Sequence, residues 1–586
     1  MNLYKVFLRH IYLTACLFIP ASLLAQATEN NPKISPTLLA KFTSSHESDF
    51  VVLMNEQPNV GDAKYLHGKA AKANYVYSTL VSLSSKSQSD LVAYLNSQHV
   101  FYQPFWVVNA VMVHGNYDLA EKLAARTDVS RILNNTSMAY AKPVHTSEAN
   151  TRDIVIPWGV DSIHAPEVWQ MGFKGQGVVI GGQDTGYDWE HPAIKNQYRG
   201  WTGTSVDNNY NWHDAIHTID PHNYNYGENP CGINIKSPCD DYGHGTHTMG
   251  TMVGEDSDLK IGIAPEAKWI GERNMERGWG NLSSYMEAFQ WFIAPTDTNN
   301  ENADPGKAPD VINDSWVCIQ EEGCDTSNFG VLEEVVQNVK ASGIVVVASA
   351  GNDGPFCNTI FYPPAMYAES FSVGAIDSTF NIASFSSRGN VTIDSSGIMK
   401  PNVAAPGVDV LSSIPGDQYA YYSGTSMAGP HTVGTVALMI SANPLLAGEV
   451  DEIESIIEQT ALPKTTGDGC GGDNSTSVPN NTYGYGIINA LAAVQMASTV
   501  TASDILAQEK KIKVFPTVTQ GVLFIELSEF SDGSVLQLFN LEGKFIRSYA
   551  VSSANTAIDL SSLSSDIYLY KIITNGELFS GKVVKQ

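Results

Sequence analysis

Four short blocks of this sequence combine residue types that do chemistry with small residues that give close backbone access. In chain order they are Gln183-Asp184-Thr185-Gly186, Gly243-His244-Gly245-Thr246-His247, Ala350-Gly351-Asn352-Asp353-Gly354 and Gly424-Thr425-Ser426-Met427-Ala428. They supply a carboxylate, an imidazole, a neutral amide donor and a hydroxyl, the set needed for acyl transfer through a covalent serine intermediate. Ser426 is the candidate nucleophile, because a serine hydroxyl attacks at neutral pH only when a base takes its proton. His244 is the candidate base, with an ordinary pKa near 6.5 that lets it exchange a proton at neutrality. Asp184 would hold the imidazole in one tautomer, and Asn352 with the Ser426 N–H would stabilise the oxyanion. Rival chemistries fit less well. The His244/His247 pair lacks the Glu of a His-Glu-x-x-His zinc site, and Asp184-Thr185-Gly186 has no second copy to form an aspartic dyad.

These groups need rigid supports. Apolar runs at 178–180, 311–312 and 344–347 precede Asp184, Asn313 and Asn352, and read as buried strands. Helical patterns over 284–293 and 329–340 alternate with them. That alternation predicts an α/β fold with a mostly parallel sheet and helices on both faces. Ligand sites then fall at the carboxyl ends of strands, where Asp184 and Asn352 lie. The small, apolar stretch 427–440 predicts a buried helix that starts at Ser426 and aims free backbone N–H groups at a developing anion.

With their flanks, these blocks resemble the subtilase family of serine proteases. Gly424-Thr425-Ser426-Met427-Ala428-Gly429-Pro430-His431 matches its nucleophile block, His191-Pro192 follows the acid, and residues 483–490 are similar to the close of its catalytic domain. The resemblance implies a secreted endopeptidase, with His244 catalytic and His247 packed inside. It implies that substrate backbone lies along Ser315, Trp316 and Val317, facing a wall of Ser349, Ala350 and Gly351. The family usually has Gly where this chain has Val317, so a side chain there is expected to narrow the primary pocket or reroute substrate entry. No cofactor is needed for the chemistry; structural calcium is an expectation without assigned ligands. Protein or peptide substrates are the expected partners. A catalytically idle fold used for binding or adhesion, and an esterase or peptidyl-transferase using the same residues, are the alternative functions.

The 586 residues leave room for more than one domain. Residues 151–499 hold 14 basic and 42 acidic residues, an excess that keeps a protein soluble and repels nucleic acid. Residues 1–27 read as a signal peptide: Lys5 and Arg9, an apolar run over 11–24, then Ala25-Gln26-Ala27. Leu13-Thr14-Ala15-Cys16 offers a lipid-attachment site as the alternative. No other segment is long and apolar enough to cross a membrane as a helix.

Residues 28–150 show strand, helix, strand, helix, strand: strands at 50–54 and 105–113, a helix over 75–95, and a short helix at 118–126 capped by Asp118. Position and pattern resemble the inhibitor propeptide of subtilases, an intramolecular partner removed near 142–158; a self-standing binding domain is the alternative. After a linker at 500–511, residues 512–586 alternate short strand patterns with turn signals and predict a small antiparallel β-sandwich. Its motifs, from Val514-Phe515-Pro516 to the closing Lys582-Val583-Val584-Lys585-Gln586, resemble type IX secretion sorting domains. The expected location is secreted or cell-surface, reached through the periplasm, with the secretion machinery as a partner. Removing the signal leaves six cysteines, suited to disulfides in an oxidising compartment. Sequence proximity favours Cys231–Cys239 and Cys318–Cys324, leaving Cys357–Cys470.

Overall fold

The computed structural model describes residues 31–585 apart from 136, 140–142, 150–154, 258, 318–325, 503–511, 517, 520, 528–529, 532, 541–543 and 575–576. At its centre is a seven-stranded sheet in which every pairing is parallel. From one edge the strands are Val403–Pro406, Phe371–Ile376, Val345–Ser349, Val311–Asp314, Val179–Asp184, Lys268–Arg273 and Trp212–Asp214. Side chains alternate between faces, as the period of two requires. Val345 and Val347 pack with the helices His244–Val253, Thr425–Ala442 and Ala490–Ala497. Ile344, Val346 and Ala348 point the other way, onto the helices Leu282–Ile293 and Phe329–Ala341. The expected α/β architecture, with a parallel sheet covered on both faces, is present.

The N-terminal segment forms its own four-stranded antiparallel sheet, in the order Tyr102–Phe105, Ala110–Gly115, Ser48–Met54, Val129–Asn134. Three details differ from the sequence expectation. The helical run at 75–95 is two helices, Lys69–Ser87 and Ser89–Ser97, meeting at Gln88, whose Nε2 donates to the Phe105 carbonyl at 2.7 Å. The run at 105–113 is a hairpin rather than one strand, with residues 106–109 as its turn. The turn reads as strand because Val107 and Val108 are apolar for another reason: they are buried with Phe289, Leu332 and Val336 of the two outer helices. Asn116, not Asp118, caps the helix Tyr117–Ala124, its side chain accepting from the Leu119 N–H. Asp118 lies inside the first turn, where its charge still favours the helix N-terminus.

The segment is fastened to the outer helices at both levels. Gln290 Oε1 accepts from the Trp106 and Val107 N–H groups at 2.7 and 3.2 Å, and Asn338 Nδ2 donates to Val107 O at 2.7 Å. Farther away, Lys69 pairs with Asp310 at 2.8 Å and Lys72 with Glu449 at 3.2 Å. The C-terminal residues make a three-stranded and a five-stranded sheet around one core that includes Leu523, Leu536, Leu538, Ile558, Ile572 and Val583. Its pairings are antiparallel except Val518–Thr519 against Val584 and Lys585. Among the described residues no helix is long and apolar enough to cross a membrane. Disulfides join Cys231 to Cys239 and Cys357 to Cys470; Cys318 and Cys324 lie outside the described residues.

Candidate active site

Three adjacent parallel strands deliver the site at their carboxyl ends. Asp184 ends Val179–Asp184, Ser315 follows Val311–Asp314, and Asn352 lies three residues beyond Val345–Ser349. Asp184 is buried, and its two carboxylate oxygens lie 2.8 and 2.9 Å from Nδ1 of His244. The Thr185 N–H donates to Asp184 Oδ1 at 2.7 Å and the Thr248 hydroxyl to Oδ2 at 3.3 Å. With both carboxylate oxygens facing Nδ1, the imidazole is held with its Nδ1 proton on Asp184 and Nε2 as the acceptor. His244 opens its helix right against the acid. A side chain at Gly245 would meet the Gly186 carbonyl oxygen at 2.1 Å and Asp184 Cβ at 3.0 Å, so only glycine lets the helix approach so closely.

His247 takes no part in that pair. It is buried, stacks on Tyr422 with ring centroids 4.2 Å apart, and directs Nε2 at the carbonyls of Val410 and Ala420, 3.1 and 3.2 Å away. Those acceptors place its proton on Nε2, and burial pushes its pKa down to about 3. The ring therefore ties the histidine helix to the strand Gln418–Ser423 that leads into Ser426.

Ser426 is the second residue of Thr425–Ala442, in the first turn, where backbone N–H groups point out of the helix start. Its Oγ lies 3.4 Å from the Ser315 carbonyl oxygen. Asn352 is oriented by Thr425, whose N–H and hydroxyl both donate to Asn352 Oδ1 at 2.9 Å. With the oxygen held on that side, the amide nitrogen faces Gly424, 3.5 Å from where a Cβ would stand. Thr425 therefore holds the Asn352 amide against the first turn of the helix that carries Ser426.

The expected substrate walls divide by role. Ser349 Oγ donates to the Thr425 carbonyl at 3.0 Å and Ser315 Oγ to the Ser426 carbonyl at 3.2 Å, so both serines seat the helix. Trp316 does not line a cleft with its side chain; it is buried against Tyr285, ring centroids 3.7 Å apart. Val317 is buried against Tyr362 rather than standing in an open pocket. Ala350 is buried under the same wall, and Gly351 donates its N–H to the Thr425 hydroxyl at 3.2 Å. Thr425 and Thr248 were not singled out from the sequence, although Thr425 sits inside the nucleophile block. Among the described residues no group of three or more His, Cys, Asp or Glu side chains is placed to hold a metal ion.

The site thus holds a buried carboxylate–imidazole pair, Asp184 with His244, and a hydroxyl, Ser426, at the start of a helix whose Thr425 orients the Asn352 amide. Comparison with known proteins is consistent with that geometry. The subtilase family model matches residues 175–486, and the secretion system C-terminal sorting domain matches 513–586. Bacillopeptidase F of Bacillus subtilis (strain 168) is 35% identical over 512 residues, covering 80% of this chain and 33% of that protein. Subtilisin DY of Bacillus licheniformis is 32% identical over 58% of this chain and 99% of its own length. Subtilisin E of Bacillus subtilis (strain 168) is 28% identical over 71% of this chain and 88% of its own. The chain belongs to the subtilase family of serine-type peptidases and carries a type IX sorting domain at its C-terminus, which marks it for export or the cell surface.

Proposed function

We propose that the protein is an endopeptidase made as a zymogen and exported through the periplasm, with residues 28 to about 140 as its own inhibitor and the C-terminal domain engaging the secretion machinery. In the reaction, Ser426 Oγ attacks the peptide carbonyl while His244 Nε2 takes its proton. Asn352 Nδ2 and the Ser426 N–H hold the oxyanion, and Asp184 stabilises the imidazolium. His244 returns the proton to the leaving amine, and water then attacks the acyl-enzyme by the same steps in reverse.

The zymogen reading is carried by one observation: the chain pairs with the enzyme on both sides of the nucleophile. Upstream, Ser137, Met138 and Ala139 run antiparallel to Asn281, Gly280 and Trp279. Downstream, His145 to Glu148 run antiparallel to Ser423 to Ala420, and the Val144 N–H donates to the Ser423 carbonyl at 2.6 Å. Pro143 Cα is 3.7 Å from where a side chain on Gly424 would begin, two residues from Ser426. Extended backbone added to sheet edges is the usual way a peptide is held. The bond cut on maturation therefore lies between Ala139 and Val144, at the near edge of the stretch 142–158 expected from sequence; residues 140–142 and 150–154 lie outside the described residues.

The test is secretion of wild type and Ser426→Ala, with intact mass and casein hydrolysis measured on each. Wild type is expected to lose its N-terminal segment and hydrolyse casein. Ser426→Ala is expected to keep the segment and fall by about 10⁶ in turnover. Equal behaviour of the two proteins sinks the assignment.

A further inference from the structure

Asp240 lies outside the triad yet bonds to both of its buried members' supports. Its Oδ1 accepts from the Thr185 hydroxyl at 2.8 Å and from the N–H groups of Tyr242 and Gly243 at 3.0 and 2.7 Å. Its Oδ2 accepts from the N–H and hydroxyl of Thr246 at 2.9 and 2.6 Å. The hydroxyl directions follow from the remaining contacts. Thr185 Oγ1 already accepts from the Gly245 N–H at 3.1 Å, and Thr246 Oγ1 from the Asp188 N–H at 2.9 Å. Each hydroxyl spends its proton on Asp240, so five donors and no acceptor face the carboxylate.

The helix His244–Val253 starts after Gly243, which has no side chain to cap it. Asp240 supplies the cap from outside the helix, accepting from Thr246 and placing negative charge at the positive end of the helix dipole. Through Thr185 it reaches the loop that follows Asp184, and through Thr246 it reaches Asp188. His244 is thus bracketed by Gly243, Gly245 and Thr246, all bonded to Asp240 or to the hydroxyl Asp240 orients.

Asp240 is itself anchored from both neighbours. A side chain on Gly186 would strike the Cys239 carbonyl oxygen at 1.8 Å, so the chain just before Asp240 lies against the turn after Asp184. Cys239 is joined to Cys231. On the other side, Asp241 accepts from Asn229 Nδ2 at 2.7 Å and the Arg277 N–H at 2.9 Å, and pairs with the buried Arg273 at 3.4 Å.

We propose that Asp240 is a positioning residue that sets the register between Asp184 and His244, with the Thr185 hydroxyl as its relay. The role rests on the assignment of those two residues as acid and base. Asp240→Asn keeps the shape but turns an N–H₂ group toward N–H donors whichever way the amide is flipped. Thr185→Val removes the relay at constant volume, and Thr185→Ser restores it.

The experiment measures kcat and KM on a peptide amide, per active site titrated with a serine-directed phosphonate, for the matured full-length protein. Asp240→Asn and Thr185→Val are each expected to lose about 10²-fold in kcat, the cost of a misplaced catalytic group, with KM held within about threefold. Thr185→Ser is expected to recover most of that loss. If Asp240→Asn and Thr185→Val turn over like wild type per titrated site, or if the loss appears in KM alone, the positioning role is wrong. Ser426→Ala in the same series separates the two levels: an inert Ser426→Ala beside a fully active Asp240→Asn overturns this role only, whereas an active Ser426→Ala overturns the catalytic assignment beneath it.

Discussion

The N-terminal segment and the C-terminal domain are both small and rich in strands, but they bury their apolar residues in different company. Val51, Val76, Leu80, Val107, Val108 and Leu133 of the first share one cluster with the enzyme helices Leu282–Ile293 and Phe329–Ala341. Among the described residues, the buried cluster of the second draws all its members from the C-terminal domain itself, between Leu523 and Val583. The first also keeps a private core around Phe50, Val52, Leu91 and Val113, so it folds on one face and docks with the other. On the zymogen reading proposed above, the difference follows from use: an inhibitor segment needs an apolar face that suits the enzyme, whereas a sorting domain needs only its own core.

A charge placed in each core gives the widest contrast. Val107→Asp puts a carboxylate into the shared cluster, which costs several kcal/mol. The inhibition constant of the separate segment 31–139, added to mature enzyme, is expected to rise by about 10²–10³-fold. Leu536→Asp is expected to melt the C-terminal unit while leaving kcat and that inhibition constant unchanged. A loss of inhibition from Leu536→Asp would break the comparison.

A smaller effect is expected from Lys72→Ala. It removes the partner of Glu449 at a contact where both side chains are nearly buried, 12% and 11% exposed. The inhibition constant should rise about tenfold, and the salt dependence of wild-type inhibition should flatten in the variant. An unchanged salt profile would mean that the dock is held by its apolar face alone.

The smallest effect concerns pH. Glu287 receives Gln103 Nε2 from the N-terminal segment at 2.6 Å and sits between His213 and His217, at 2.8 and 2.9 Å. Although burial alone lowers it, the pKa of His217 is raised to about 9 because Glu287 favours its charged form. A raised folded-state pKa gives stability that is complete below the unfolded value of about 6.5 and is lost as pH rises through about 9. The main thermal transition of the unprocessed Ser426→Ala protein is expected to fall by about 2 °C between pH 7 and pH 10, and His217→Asn to flatten that slope. The C-terminal domain contains no histidine over 512–586, so its own transition should show no matching step.

Much of the site was legible because its chemistry is local. Each of Asp184, His244, Asn352 and Ser426 sits in a block of a few residues whose small neighbours reveal a close approach, and buried strands announce themselves as apolar runs. What escaped depends on contacts between distant segments. No local pattern tells that 137–139 lies on 279–281, or that 145–148 lies on 418–423. Trp316 follows a strand end and looked like a wall of the cleft, but its size is explained by Tyr285, which is far away in sequence. The hairpin at 102–115 was hidden because its turn is apolar for the sake of the enzyme helices. Asp240 had a visible signal, an acid four residues before His244 and just ahead of a glycine that cannot cap, yet its partners across the turn could not be read from spacing.

Thr425 has a mechanical consequence. It gives its N–H and hydroxyl to Asn352, takes the Gly351 N–H, and accepts the Ser349 hydroxyl on its carbonyl. Thr425, one residue before Ser426, is therefore riveted to the loop that carries Asn352. A shift of the start of the helix Thr425–Ala442 carries Asn352 with it, so the spacing between Ser426 and Asn352 is kept, and Ser349 extends that coupling to the end of the central strand Val345–Ser349.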